Sequence, residues 1–227
     1  MKLTGIIELK GRIRLRSGLH IGAGDMEMHI GGTDNPIVKH PHTNEPYIPG
    51  SSLKGKIRAL LEMRSGLMRL TGGRPLSAKN LKGLSGDEKD EAIKILKLFG
   101  TSGADGDEAA QIGPTRASFA DCYLADEYKD GSFPLTEIKS ENSINRIRGT
   151  AENPRFTERV PAGLAFEFSI TVKKMEGDED LESFLLEGLK LLELDALGGN
   201  GSRGYGRVEF KFSDPEHQAK YEEILPL

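Results

Sequence analysis

Between Leu3 and Leu15 the hydrophobic residues fall on every second position. Ile7, Leu9, Gly11, Ile13 and Leu15 share one face, and Glu8, Lys10, Arg12 and Arg14 share the other. A period of two predicts a β-strand with one buried face and one wet, basic face. At Ser51–Met63 the spacing becomes helical, with Leu53, Ile57, Leu60 and Leu61 on one side. Pro49-Gly50 punctuates the start, and Ser51 and Ser52 stand where an N-cap belongs. Thr115–Leu124 and Leu164–Val172 read as a second and a third strand. Asp180–Leu194 is a second amphipathic helix, its face made by Leu181, Phe184, Leu185, Leu189 and Leu192, and Arg207–Phe212 is a fourth strand.

The order β-α-β-β-α-β predicts an α+β, ferredoxin-like (RRM-like) core, a four-stranded antiparallel sheet with both helices on one face. That plan is common among RNA-binding modules. In a single domain the core takes residues 1–16, 51–63, 114–125 and 162–213. Lid and helical insertions fall at 17–50 and 64–113, the second with a helix at Asp87–Phe99 and a Gly/Asp-rich loop at Gly100–Asp107. Residues 126–161 form a polar excursion predicted to project as a hairpin. Structureless loops of such length are uncommon in compact domains unless they carry function.

Composition changes this picture little, and charge changes it more. The single cysteine, Cys122, excludes a disulfide framework and a cysteine-built zinc site, and it fits a reducing, cytoplasmic setting. The N-terminus lacks the apolar core of a signal peptide, and no apolar run approaches the ~20 residues of a membrane span. The net charge of −4 hides an uneven split. Residues 1–74 carry 12 Lys and Arg against 6 Asp and Glu; residues 75–227 carry 19 against 29. A basic face, not the mean charge, is what a phosphate chain meets.

Four stretches could carry chemistry. Leu197–Val208, LGGNGSRGYGRV, has glycine at 198, 199, 201, 204 and 206 and arginine at 203 and 207. It runs from helix to strand, the reverse of a dinucleotide fingerprint, and no Gly-Lys-Ser/Thr completes a P-loop. It reads either as a turn with a helix C-cap or as a loop whose backbone and Arg203 hold RNA. Ile48–Arg58 offers a helix N-terminus with Ser51, Ser52, Lys54 and Arg58, either a capped basic helix or an anion site. The insertion 17–50 holds His20, His29, His40 and His42, whose spacing fits no standard zinc motif. Within it Gly31-Gly32-Thr33-Asp34-Asn35-Pro36 reads as a turn, or as a loop presenting Asp34 to Mg²⁺ or to a proton near a phosphodiester. Ile138–Arg159 interleaves Ile138, Ile144, Ile147 and Phe156 with basic and amide side chains. That pattern suits a solvated hairpin, or one pressing apolar side chains against bases.

Together these residues resemble the repeat-associated mysterious protein (RAMP) superfamily of CRISPR systems, and more closely its backbone subunits of type III-A (Csm) effector complexes. The resemblance is carried in order by Gly18–Gly22 (GLHIG), Gly32–Pro36 (GTDNP), Pro46–Gly55 (PYIPGSSLKG), Glu141–Arg146 (ENSINR), Ala151–Arg155 and the terminal glycine-rich loop. Asn145 stands where that family pattern has Asp.

The resemblance implies a subunit that stacks with copies of itself along a guide CRISPR RNA, together with other subunits of the type III-A complex. A thumb-like hairpin matching 138–159 would intrude at about every sixth guide nucleotide and splay the pair there, with target cleavage at the same six-nucleotide interval. Asp34 would serve divalent-metal-dependent cleavage, with Mg²⁺ the expected ion, of complementary single-stranded target RNA. His20, Ser51, Ser52, Lys54, Arg58, Asn145, Arg146, Arg148, Gly199, Gly201 and Arg203 would contact RNA. Phosphate contacts position RNA without reading its sequence, which suits any guide. Two alternatives stand beside this expectation. One is a purely structural guide-binding subunit. The other is a guide-processing endonuclease of the same superfamily, which would want a histidine, with His29 the nearest candidate.

Overall fold

The computed structural model describes residues 2–24, 35–101 and 106–227. Asp34 and His29, with the rest of 25–34, lie outside the described residues, as do 102–105 of the Gly/Asp-rich loop. Strand β1 (Leu3–Leu15) has the predicted limits and the predicted faces: Leu9, Gly11, Ile13 and Leu15 are buried, and Glu8, Lys10, Arg12 and Arg14 are exposed. There follow α1 (Gly50–Arg64), α2 (Gly86–Phe99), α3 (Asp107–Ile112), β2 (Ala117–Phe119) and β3 (Tyr123–Leu124). The chain continues through β4 (Glu137–Ile144), β5 (Ala151–Arg159), β6 (Ala165–Met175), α4 (Leu181–Leu194), β7 (Val208–Phe212) and α5 (Pro215–Glu223).

This is an α+β architecture. The main sheet has the order β2-β6-β1-β7, with β3 also pairing to β6, and every pairing is antiparallel. Its buried face presents Leu9 and Ile13 from β1, Phe166, Phe168 and Ile170 from β6, and Val208 and Phe210 from β7. Leu53, Ile57 and Leu61 of α1 and Phe184, Leu185 and Leu189 of α4 complete that core. The two helices lie close because α4 carries Gly188 at their contact. A Cβ there would stand 2.6 Å from Ile57 Cγ2, too near for any side chain. On the open face the basic side chains of β1 are met by acids, Arg12 by Glu127 at 2.8 Å and Lys10 by Glu8 at 2.9 Å.

Two expectations change. The serines do not cap α1: Pro49 holds the N-cap position, and Ser51 and Ser52 lie inside the first turn. The Asp121 carboxylate takes the Gly50 amide at 2.7 Å instead, a cap supplied from a distant segment. The predicted strand Thr115–Leu124 is broken into β2 and β3, because Asp121 and Cys122 turn to the segment that enters α1, while the Ala120 amide still bonds Ser169 of β6. Cys122 bridges Ile48, and the carbonyls of Phe119 and Ala120 lie hard against Gly50. Two helices were not predicted, α3 and α5. The second carries a readable signal, Asp214 as N-cap and Pro215 at the first helical position. Its polar composition hides the one anchor, Tyr221, which packs on Phe212 with ring centres 4.9 Å apart.

Among the described residues no helix is long and apolar enough to cross a membrane. The insertion 64–113 is fastened to α1 from below. Buried Glu62 accepts the Leu76 amide at 3.1 Å and the Arg58 Nε at 2.7 Å.

Loss of a helix cap of this kind costs about 1–2 kcal/mol. Asp121→Ala is therefore expected to lower the urea unfolding midpoint by that equivalent, and Asp121→Asn to restore most of it. Equal midpoints for Asp121→Ala and wild type would refute the capping role.

Candidate nucleic-acid interface

Part of the expected contact set, His20 and the glycine-rich loop, gathers at one end of the sheet. Arg14 of β1 faces Ala165 of β6, and Leu15 faces Val208 of β7. The segment leaving β1, the loop entering β7 and the end of the hairpin therefore meet there. Leu19 pairs with Val160 just beyond β5, and Gly206 donates its amide to the Gly18 carbonyl at 2.9 Å.

The glycine-rich loop owes much of its composition to this crowding. Gly206 has φ +71°, and a Cβ on it would overlap the Leu197 carbonyl oxygen. Gly198 lies so close to the His20 carbonyl that a Cβ would come within 2.3 Å. The Gly199 amide donates to that same carbonyl at 2.8 Å, so it is engaged inside the protein rather than offered to a phosphate. Gly201 opens an exposed 3-10 turn, Gly201–Arg203, at the tip. His20 and Gly199, each expected to touch RNA, are thus brought together. The His20 ring is held by its Nδ1, 2.7 Å from the Glu158 carbonyl oxygen.

Strands β4 and β5 pair only with each other, forming the predicted hairpin. What fastens it to the loop is Tyr205, fully buried. Lys139 and Arg159 lie over its ring at 4.4 and 4.8 Å, and its hydroxyl donates to Glu141 at 3.2 Å. Glu141 also receives Arg203 at 2.9 Å and Lys139 at 3.1 Å. Arg203, expected to face RNA, therefore bridges loop and hairpin while remaining half exposed.

At the hairpin tip Asn145 is a turn builder. Its Oδ1 accepts the amides of Ile147 and Arg148 at 3.1 and 3.0 Å, and its Nδ2 donates to Glu152 at 3.1 Å. An Asp here would keep the turn but set a second carboxylate against Glu152. Arg148 pairs with Glu152 at 2.7 Å, whereas Arg146 is exposed with no ion pair among the described residues. Ile147 is 97% exposed, and Ile138, Ile144 and Phe156 are also largely in water.

The stretch that follows Asp34 is pinned to β5. Asn35 pairs with Thr157, and its carbonyl accepts the Glu158 amide at 3.2 Å. The Glu158 carboxylate takes the Ile37 amide at 3.0 Å and the Lys39 ammonium at 2.7 Å.

On α1 the residues expected to touch RNA divide. Ser51 is exposed, Ser52 is half-buried, and Lys54 has no ion pair among the described residues. Partial burial and the nearby Arg58 charge lower the Lys54 pKa. Arg58 is only 15% exposed and holds Glu62, the Gly100 carbonyl and the Leu76 carbonyl. The structure makes it a brace for the insertion instead of a phosphate contact. Charge read along a sequence does not show partners 18 and 42 residues downstream. Sequence reading also passed over Tyr205, Glu141 and Glu158. The one signal available was an aromatic ring set in a loop of small residues.

The family model described as the RAMP superfamily matches residues 12–209. The protein named CRISPR system Cms endoribonuclease Csm3 from Methanothermobacter thermautotrophicus is 42% identical over 220 residues, covering 89% of this chain and 82% of that protein. The protein of the same name from Streptococcus thermophilus is 41% identical over 212 residues, covering 90% and 87%. Among solved structures, the crystal structure of a Csm3–Csm4 subcomplex of the type III-A interference complex aligns with TM-score 0.58 and 28% identity over 99% of both chains. The crystal structure of Methanopyrus kandleri Csm3 aligns with TM-score 0.57 and 25% identity, over 92% of this chain and 76% of that one.

The hairpin attachment has a defined pH response. Burial alone would raise the Glu141 carboxyl; the Lys139 hydrogen bond, the Arg203 charge and the Tyr205 hydroxyl outweigh it and hold its pKa below the ordinary range. A carboxylate lowered in this way stabilises the folded state above its ordinary range and gives that up as pH falls through the lowered value. A detached two-stranded hairpin is marginal by itself. Amide protection factors in β4 and β5 should therefore fall on acidification before those of β1 and β6. Glu141→Gln should show the loss already at neutral pH, and protection in that variant equal to wild type would contradict the assignment.

Proposed function

The chain belongs to the RAMP superfamily, and we propose that it is a Csm3-type endoribonuclease, a backbone subunit of a type III-A CRISPR effector complex. It binds guide RNA in several copies beside other subunits and cleaves the complementary target RNA. Its relatives are named endoribonucleases and match it over most of both chains, and a neighbour of known structure is a Csm3–Csm4 subcomplex. The sheet order, fourth core strand to first to third to second with α1 and α4 on one face, supports a ferredoxin-like core, and the β4–β5 hairpin supports a thumb.

The observation that carries the cleavage reading is the joint placement of two features on β5. The chain one residue past Asp34 is bonded to Thr157 and Glu158, and the neighbouring Phe156 and Ile138 stand exposed on the hairpin. Apolar side chains that unstack a base pair leave the adjacent phosphodiester free to kink. A 2′-oxygen can then align with its own phosphorus and attack. The 2′-hydroxyl gives up its proton as the P–O2′ bond forms, the P–O5′ bond breaks, and the leaving 5′-oxygen gains a proton, so the products are a 2′,3′-cyclic phosphate and a 5′-hydroxyl with no net change in protons. Asp34 is the residue before Asn35, which is bonded here.

Among the described residues no three acidic, histidine or cysteine side chains gather as a metal-ligand set. Glu158, the acid bonded to this segment, is already paired with Lys39. A divalent ion, by preference Mg²⁺, would be held by Asp34 with phosphate oxygens and water, the hard donors it takes, and would supply charge stabilisation at the phosphate. His20, Ser51, Ser52, Lys54, Arg146 and the loop tip at Gly201 would hold the guide and target backbones.

In an assembled, guide-loaded complex, Asp34→Ala should abolish target cleavage with Mg²⁺ while leaving guide occupancy and target affinity within about twofold, a change of under ~0.5 kcal/mol. EDTA should silence the wild type. Parallel loss of binding and cleavage, or cleavage that survives in Asp34→Ala, would leave only the structural, guide-binding role.

A further inference from the structure

Every polar group of Glu158 is engaged, and all of them act on two segments. Its amide donates to the Asn35 carbonyl, and its carbonyl oxygen lies 2.7 Å from His20 Nδ1. One carboxylate oxygen accepts the Ile37 amide and the other the Lys39 ammonium. The residue is 8% exposed. A carboxylate so far from water is costly unless paired, and one partner would satisfy it. Here the carboxylate grips alternate residues of a single extended stretch. The backbone of the same residue meanwhile fixes Asn35, one peptide link from Asp34, and the ring of His20. Leu19 and Val160 close the junction with mutual amide–carbonyl bonds at 2.9 and 2.8 Å.

We infer that Glu158 is a positioning residue for target-RNA cleavage: it holds the chain that leaves Asp34 and the His20 ring as one rigid unit. The inference rests on the reading of Asp34 as the cleavage residue. Glu158 is buried, with Ile37 and Lys39 each on one of its carboxylate oxygens, and is assigned no contact with substrate. Its effect is exerted through registry. His20 lies against the glycine loop, and Asn35, the residue after Asp34, is bonded to Glu158, so slack at Glu158 loosens both attachments at once. A displacement of ~1 Å at a reacting group costs about 100-fold in rate.

The test uses the assembled complex loaded with guide RNA, read by single-turnover cleavage, target affinity, guide occupancy and melting temperature. Glu158→Gln keeps the shape and an oxygen for Ile37 but loses the hold on Lys39. It should slow cleavage about 10-fold, with target affinity and guide occupancy unchanged, and Glu158→Ala should slow it about 100-fold. Lys39→Met should resemble Glu158→Gln, and combining the two should add little, as expected for partners in one contact. Removing both charges leaves neither unpaired, so Glu158→Gln/Lys39→Met keeps the test open if Glu158→Ala fails to fold. A folded, guide-loaded double variant that cuts at the wild-type rate overturns the inference. So does a loss of rate matched by a loss of guide occupancy, which would mark a purely structural acid. Asp34→Ala separates the two readings: cleavage surviving there sinks the premise, whereas cleavage lost there but normal in the Glu158 variants sinks this inference alone.

Discussion

The antiparallel pairing of β1 with β6 is the constraint on which the rest depends. It runs in register from Ile6 opposite Lys173 to Arg14 opposite Ala165. A slip of β1 by one residue would turn Leu9 and Ile13 out of the core and bring Arg12 into it. The same register decides what lies at the sheet's end. Because β1 ends where β6 begins, and β7 starts opposite Leu15, three connections must leave through one small region. His20, the glycine loop and the close of the hairpin are neighbours for that reason.

Much of the charge in that region is internally paired. Arg203 holds Glu141, Arg148 holds Glu152, and Lys39 holds Glu158. These pairs set the shape of the surface, while Lys54 and Arg146 carry charge that no acid of the described residues takes up. An RNA strand would meet a few unpaired cations held in place by many paired ones. That arrangement favours position over sheer attraction.

Much of the framework was legible from spacing. The alternation at Leu3–Leu15 and the leucine face of Asp180–Leu194 correspond to β1 and α4 within a residue, because each buries one face against a single core. The hairpin was legible from its isoleucines. Elements shaped by distant partners were not. Thr115–Leu124 alternates well enough for one strand, but Gly50 and Ile48 draw its middle out of the sheet. The serines before Leu53 suggest a cap, yet Asp121 supplies it from 71 residues away. Arg58 is basic and helical, and only the fold reveals that it faces carbonyls. The importance of Asp34 came from family resemblance, since Gly, Asp, Asn and Pro in series spell a turn to any reading of residue type alone.

The attachment of the hairpin has a mechanical meaning. Elements of the core are joined by apolar contact, which is indifferent to salt. Beside the bonds that tie Thr157 and Glu158 to residues 35–39, the hairpin is joined to the glycine loop through one tyrosine ring, its flanking cations and the acid they share. Partly exposed charge pairs weaken as ionic strength rises, over a screening length near 10 Å at about 0.1 M. The hairpin is thus a lever on a compliant, electrostatically sprung mount, and the core beneath it is stiff. Its hold on the glycine loop therefore loosens as ionic strength rises, while the apolar packing of the core is not screened.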